Sequence, residues 1–145
     1  MKIQEKDWFH GAALTQITEH ESFTALNKAC EKYGHYQVNH DKRILVKHSS
    51  PEQGPWQFTF QPDDIFIINE DIASDQDSHV CLVCGYDTIC ILDEGEIQEV
   101  LGLEDSATQW VRVEYPKGGS MRVRGSYGNL EHTIRHNSFP NNLFG

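Results

Sequence analysis

The stretch Arg43 to Phe60, RILVKHSSPEQGPWQFTF, constrains the fold most. Its first five residues, Arg43 to Lys47, carry a β-branched and aliphatic centre, and its last five, Trp56 to Phe60, alternate aromatic with polar. Ser49 to Pro55, between them, is a dense run of turn formers. Such a pattern predicts two strands joined by a polar loop. Trp56, Phe58 and Phe60 then share one strand face, which is expected to be buried.

The flanking segments extend this frame. Asp7 to His20, with Leu14, Ile17 and two alanines, suits a short amphipathic helix. Ser22 to Tyr33 places Phe23, Leu26, Cys30 and Tyr33 at helical spacing, between Ser22 as N-cap and Gly34 as stop, and a helix is the favoured reading. The alternative is a short strand opening at Phe23. His35 to Asn39 alternates like a strand, and with Arg43–His48 and Trp56–Phe60 it is expected to form a three-stranded meander.

Pro62-Asp63-Asp64 starts a helix, with Ile65, Ile68 and Ile72 on one face and Glu70 and Asp71 toward water. His79 to Gly85 and Thr88 to Leu92 are nearly all apolar, as strands covered on both faces are. Asp93 to Leu103 reads as a helix, and Gln109–Tyr115 with Ser120–Arg124 reads as a hairpin. Leu130 to Ile134 suggests one last short strand, and Phe139, Leu143 and Phe144 are expected to pack down and anchor the end. The expected core draws on Leu14, Ile17, Leu26, Val46, Phe58, Ile65, Ile68, Val80, Leu82, Ile89, Ile91, Val100, Leu101, Val111 and Val123.

A chain of 145 residues is expected to be a single domain, 1–145, able to bury about 68–70% of its unfolded surface without metal or disulfide. Its 38% hydrophobic and 23% charged residues are an ordinary globular mix. No apolar run approaches the ~20 residues of a membrane span, and no apolar stretch follows the first lysine, so a cytoplasmic location is expected. Residues 1–108 hold 7 of the 12 basic and 20 of the 22 acidic side chains, a balance of −13; residues 109–145 carry +3. Phosphate neutralisation drives non-specific nucleic-acid binding, so the net charge disfavours that class of partner and leaves a local basic face at Arg112, Lys117, Arg122 and Arg124.

Cys30, Cys81, Cys84 and Cys90 read as free thiols in apolar surroundings. Cys81-x-x-Cys84 with His132-x-x-x-His136 invites a zinc reading. However, residues three apart on a strand point to opposite faces, and the gap to His132 is far longer than in compact zinc modules. No metal ligand set is assigned. Asp63-Asp64 with Glu70, Asp71, Asp75 and Asp77 lacks the glycine and spacing of a calcium loop and reads as a solvated helix face.

The order of elements resembles the core of the PD-(D/E)xK, or restriction-endonuclease-like, superfamily over about residues 10–103. This order is an N-terminal helix, strands carrying Tyr36–Asn39 and Ile44–Ser50, then Trp56–Phe60, a helix, and the apolar strand His79–Gly85. In that family an aspartate and a (D/E/Q)-x-K hold a divalent metal that activates water for phosphodiester cleavage. Val46-Lys47-His48-Ser49 looks like the end of the second motif, with Lys47 as its lysine, and the first aspartate's place falls near Asn39 or Asp41. Leu45 stands where the family carries a metal-binding oxygen, so the resemblance implies a catalytically degenerate member.

The expected fold is α+β: a mixed, mostly antiparallel sheet of seven or eight strands flanked by three or four helices. Three functions follow as expectations. The first is a non-enzymatic binding or accessory protein whose acidic surface meets a basic macromolecular partner, with no cofactor. The second is a nuclease-like or nucleic-acid-binding protein using Lys47, Asp41 and the basic hairpin, with Mg²⁺ implied on that reading alone. The third is a small-molecule binder with a cleft by Trp56, Trp110 and Tyr127.

Overall fold

The computed structural model describes residues 1–116 and 118–145. The chain runs α1 (Glu5–Thr18), β1 (Leu26–Lys28), β2 (His35–Val38), β3 (Lys42–Ser49), β4 (Trp56–Phe60), α2 (Pro62–Ala73), β5 (Asp77–Cys84), β6 (Thr88–Leu92), α3 (Glu94–Val100), β7 (Gln109–Glu114), β8 (Arg122–Gly125) and α4 (Asn141–Phe144). This is the expected α+β mixture, with its eight strands divided between two sheets. Sheet A has the order β1-β2-β3-β5-β6 and sheet B the order β4-β7-β8. The β3–β5 pair is parallel and all the others are antiparallel.

Alternation along the central strands builds two cores. On β5, Val80, Leu82 and Cys84 join Leu45, Cys90 and Leu92 against sheet B, where Trp56, Phe58, Phe60, Val111, Val113 and Val123 meet them with α2 and α3. Cys81 and Val83 point the other way and pack with Ile44, Val46, Ile89 and Ile91 on α1 residues Phe9, Ala13 and Ile17 and the tail residues Phe139 and Leu143. Sheet A is therefore the middle of three layers. The runs Val80–Cys84 of β5 and Ile89–Leu92 of β6 are apolar throughout because both of their faces leave water. Of the expected core, Leu14 and Leu26 are half-buried and the rest are buried.

Four expectations are corrected. Trp56–Phe60 does not continue a meander: Trp56 registers with Val113 and Phe60 with Gln109 in sheet B, and β5 takes the place beside β3. The exposed, turn-rich segment 50–55 carries the chain from sheet A to sheet B, because a strand apolar on both faces belongs in the centre and one apolar on a single face at the periphery. Ser22–Tyr33 is not a helix. Asn39 Oδ1 accepts the Thr24 and Ala25 backbone N–H groups at 2.7 and 3.2 Å, and the extended chain continues as β1 beside β2. Leu130–Ile134 forms no strand; Met121 and Ile134 make a single bridge. Asp71 does not face water, for a reason that lies in the packing of α2.

Candidate functional site

Helix α2 begins at Pro62, whose missing N–H suits the first turn, and Asp64 Oδ2 accepts the Gln61 N–H at 2.9 Å. At spacings i, i+4 and i+7, Asp64, Ile68 and Asp71 share one face. That face lies on sheet A, and all three side chains are buried. The sheet answers with the same polarity pattern. Lys47, Leu45 and Arg43 alternate on the α2 side of β3, and His35 sits opposite Leu45 on β2. Lys47 Nζ reaches Asp64 Oδ2 at 3.0 Å and Arg43 Nη1 reaches Asp71 Oδ1 at 3.0 Å. Two ion pairs thus flank an apolar centre, forming a seam between helix and sheet.

Other groups close the seam at the β1–β2 edge. Lys32 Nζ bonds Asp63 Oδ2 at 2.8 Å and lies 3.3 Å from Asp64 Oδ1, which accepts no aligned hydrogen bond. The Lys32 bond holds the Asp63 carboxyl below its usual value and raises the lysine in turn. His35 Nε2 meets Asp71 Oδ2 at 2.7 Å, and its Nδ1 meets Cys30 Sγ at 3.0 Å. Arg43 Nε also donates to Gln37, which donates to Gln76 at 2.8 Å. The carboxylate-rich stretch is therefore not one solvated face: Asp63, Glu70, Asp75 and Asp77 are exposed, while Asp64 and Asp71 are buried beneath them. The apolar setting expected for Cys30 is likewise corrected, because the half-buried thiol has an imidazole as its neighbour. A Cys, a His and an Asp at 30, 35 and 71 carried no recognisable spacing, and only the fold brings them together.

The remaining thiols are structural. Cys81 and Cys84 point into different cores, Cys81 toward α1 and Cys84 toward sheet B. Burial pushes the Cys81 thiol up to about 12 and raises Cys84 and Cys90 as well. His132 bonds Glu96 at 2.6 Å, and His136 bonds Thr88 and stacks on Tyr115. Among the described residues no group of three or more His, Cys, Asp and Glu side chains is placed to hold a metal ion.

Lys47 and Asp41 lie toward opposite ends of β3, six residues and about 20 Å apart at the rise of a strand. Asp41 pairs instead with Lys42 at 3.0 Å, which lowers its pKa. Arg112, Arg122 and Arg124 come together on the outer face of sheet B: Arg112 registers with Arg124 and Glu114 with Arg122. Lys117 lies outside the described residues. Trp110 shares that outer face, half-buried. Trp56 is buried on the inner face with its N–H bonded to Pro51 O at 2.8 Å, and Tyr127 is 71% exposed beside Gly102. These three aromatics do not line a common cleft among the described residues.

The other side of α2 is exposed. Phe66 is 63% exposed and lies on the same helix flank as Asn69 and Glu70. Asn69 donates to Leu103 O at 2.7 Å, tying α2 to the loop after α3. In that loop Glu104 and Asp105 are exposed and, with Gln98 and Tyr127, line a shallow hollow. An acidic surface carrying two exposed aromatic rings results. No known protein family, curated protein or solved structure matches the chain.

Proposed function

We propose that the protein is a binding or accessory protein that receives a basic macromolecular partner on the surface formed by α2 and the loop after α3. The observation that carries this reading is the setting of two large rings left in water: Phe66 one helical turn from Glu70, and Tyr127 in the hollow it shares with Glu104 and Asp105. Aromatic side chains supply the buried centre of an interface, and a charged rim selects the partner and speeds its approach. The net charge of −10 extends the same attraction over the whole molecule. A partner with lysines and arginines around an apolar pocket fits this surface.

The test is capture of proteins on the immobilised chain, with the F66A/E70K/E104K variant as control. Expected is a set of basic proteins that salt releases and that the variant does not hold. Capture that neither salt nor the variant alters would count against the reading, as would no capture at all.

A second reading, binding of nucleic acid, is favoured by one observation: Arg112, Arg122 and Arg124 share the outer face of sheet B with Trp110. Arginines neutralise phosphates and an indole stacks on bases. Three such contacts to a single strand predict a log–log salt slope of about −2. Anisotropy titrations of labelled single-stranded DNA and RNA measure it, and a flat salt response or no binding ends this reading.

A further inference from the structure

We propose that Cys30 is a histidine-activated nucleophile that accepts an acyl group from an acyl thioester, a reactivity separate from partner binding. The geometry is that of a nucleophile, a base and a group that orients the base. Cys30 Sγ lies 3.0 Å from His35 Nδ1, and His35 Nε2 lies 2.7 Å from Asp71 Oδ2. A carboxylate oxygen can only accept here, so Asp71 places the ring proton on Nε2 and leaves Nδ1 with its lone pair toward the thiol. Arg43 Nη1, 3.0 Å from Asp71 Oδ1, fixes the carboxylate from the other side. The Lys32 backbone N–H donates to Cys30 Sγ at 3.4 Å, a contact that favours negative charge on sulfur.

The four cysteines separate on this point. Cys81, Cys84 and Cys90 are fully buried, and burial raises all three, which leaves them inert. Cys30 alone is both partly open to water and beside a base. It lines none of the main cavities. A site without an enclosing pocket suits an activated acyl group brought to the surface rather than an amide that must be bound and polarised. In the step, Nδ1 takes the Sγ proton and the thiolate attacks the thioester carbonyl. The new C–S bond forms as the donor's C–S bond breaks, and the leaving thiolate takes the proton from the imidazolium. No oxidant or reductant is consumed. His35 is the base; Asp71 and Arg43 are positioning residues.

The charged groups in contact with this site are Asp71 from α2 and Arg43 from β3; Asp63 and Asp64 from α2, Lys47 from β3 and the Lys32 ammonium from the turn before β2 continue the same seam. The test follows acetylation of the intact protein by phenyl thioacetate from pH 5 to 9, with peptide mass mapping and a cysteine peptide as reference. Expected is one acetyl group, on Cys30, arriving at pH 6 roughly tenfold faster than on the reference peptide. His35→Gln, which still reaches Asp71, should lose that advantage at pH 6 and match the wild type at pH 9. A purely structural role for His35 would move both pH values together. Should His35→Gln fail to fold, the wild-type profile decides alone. A rate at Cys30 that falls in parallel with the reference peptide below about pH 8.5 overturns the proposal.

Discussion

Removal of the Asp64 carboxylate is the sharpest perturbation of the seam. Asp64 is 1% exposed, accepts the Gln61 N–H at 2.9 Å and receives Lys47 at 3.0 Å. Deleting one member of a fully buried pair costs about 3–5 kcal/mol, because the partner is left charged and dry. Here the partners escape part of that cost: the Lys47 and Lys32 side chains are 21% and 30% exposed and can turn to solvent. A reduced electrostatic loss of about 1–2 kcal/mol remains, to which the lost helix-start hydrogen bond adds about 1.

Asp64→Ala should therefore destabilise the protein by about 2–3 kcal/mol, and Asp64→Asn, which can still accept from Gln61, by about 1–2. Urea unfolding followed by tryptophan fluorescence reads both, as Trp56 is buried in the same core. Adding Lys47→Met to Asp64→Ala should cost less than the sum of the single changes, by about 1 kcal/mol. An Asp64→Ala loss below about 0.5 kcal/mol, or an additive double mutant, refutes the reasoning.

Two further outcomes follow. His10 is 5% exposed, its Nδ1 has no hydrogen-bond partner, and burial, helped by the nearby His48 and Lys47 charges, pushes its pKa down to about 4. Between pH 4 and about 6.5 the unfolded chain thus holds more protons at this site, so stability rises with pH across that window by up to about 3 kcal/mol; His10→Gln should flatten this part of the pH–stability curve, and an unchanged slope contradicts the assignment. Gly125→Ala would drive a Cβ into the Val100 carbonyl oxygen, so a loss of about 1–3 kcal/mol in thermal or urea unfolding is expected, and a neutral effect would mean that α3 and β8 are not so closely apposed.

Elements whose pattern is set by their own surroundings were legible in the sequence. The unbroken apolar runs of β5 and β6 marked the covered middle sheet. The Trp56-Phe58-Phe60 alternation marked a half-buried strand, and the divergence of Cys81 and Cys84 followed from strand geometry alone. What depended on pairing was not legible. A turn-rich linker fits a hairpin and a crossing between sheets equally well, so β4 was placed beside β3 instead of β7. The helical spacing of Phe23, Leu26, Cys30 and Tyr33 was outweighed by the bonds that Asn39 makes to Thr24 and Ala25, 15 and 14 residues away.

The seam was hidden for the same reason. Helical periodicity places Asp64 and Asp71 with Ile68, but carboxylates are charged to the solvent side by default. Only the basic residues of β3, on an element 17 and 28 residues distant, reverse that assignment. His35 and Asp71 are 36 residues apart and share no motif.

Sheet A is covered on both faces and holds the α2 seam at its β2–β3 end. Thiol counting in the native protein tests it most directly. One of the four cysteines, Cys30, should react with a thiol reagent at once, and Cys81, Cys84 and Cys90 should react only at the rate of unfolding. Prompt reaction of Cys81 or Cys84 in the folded protein would mean that a face of β5 is open to water, and the three-layer arrangement would fall with it.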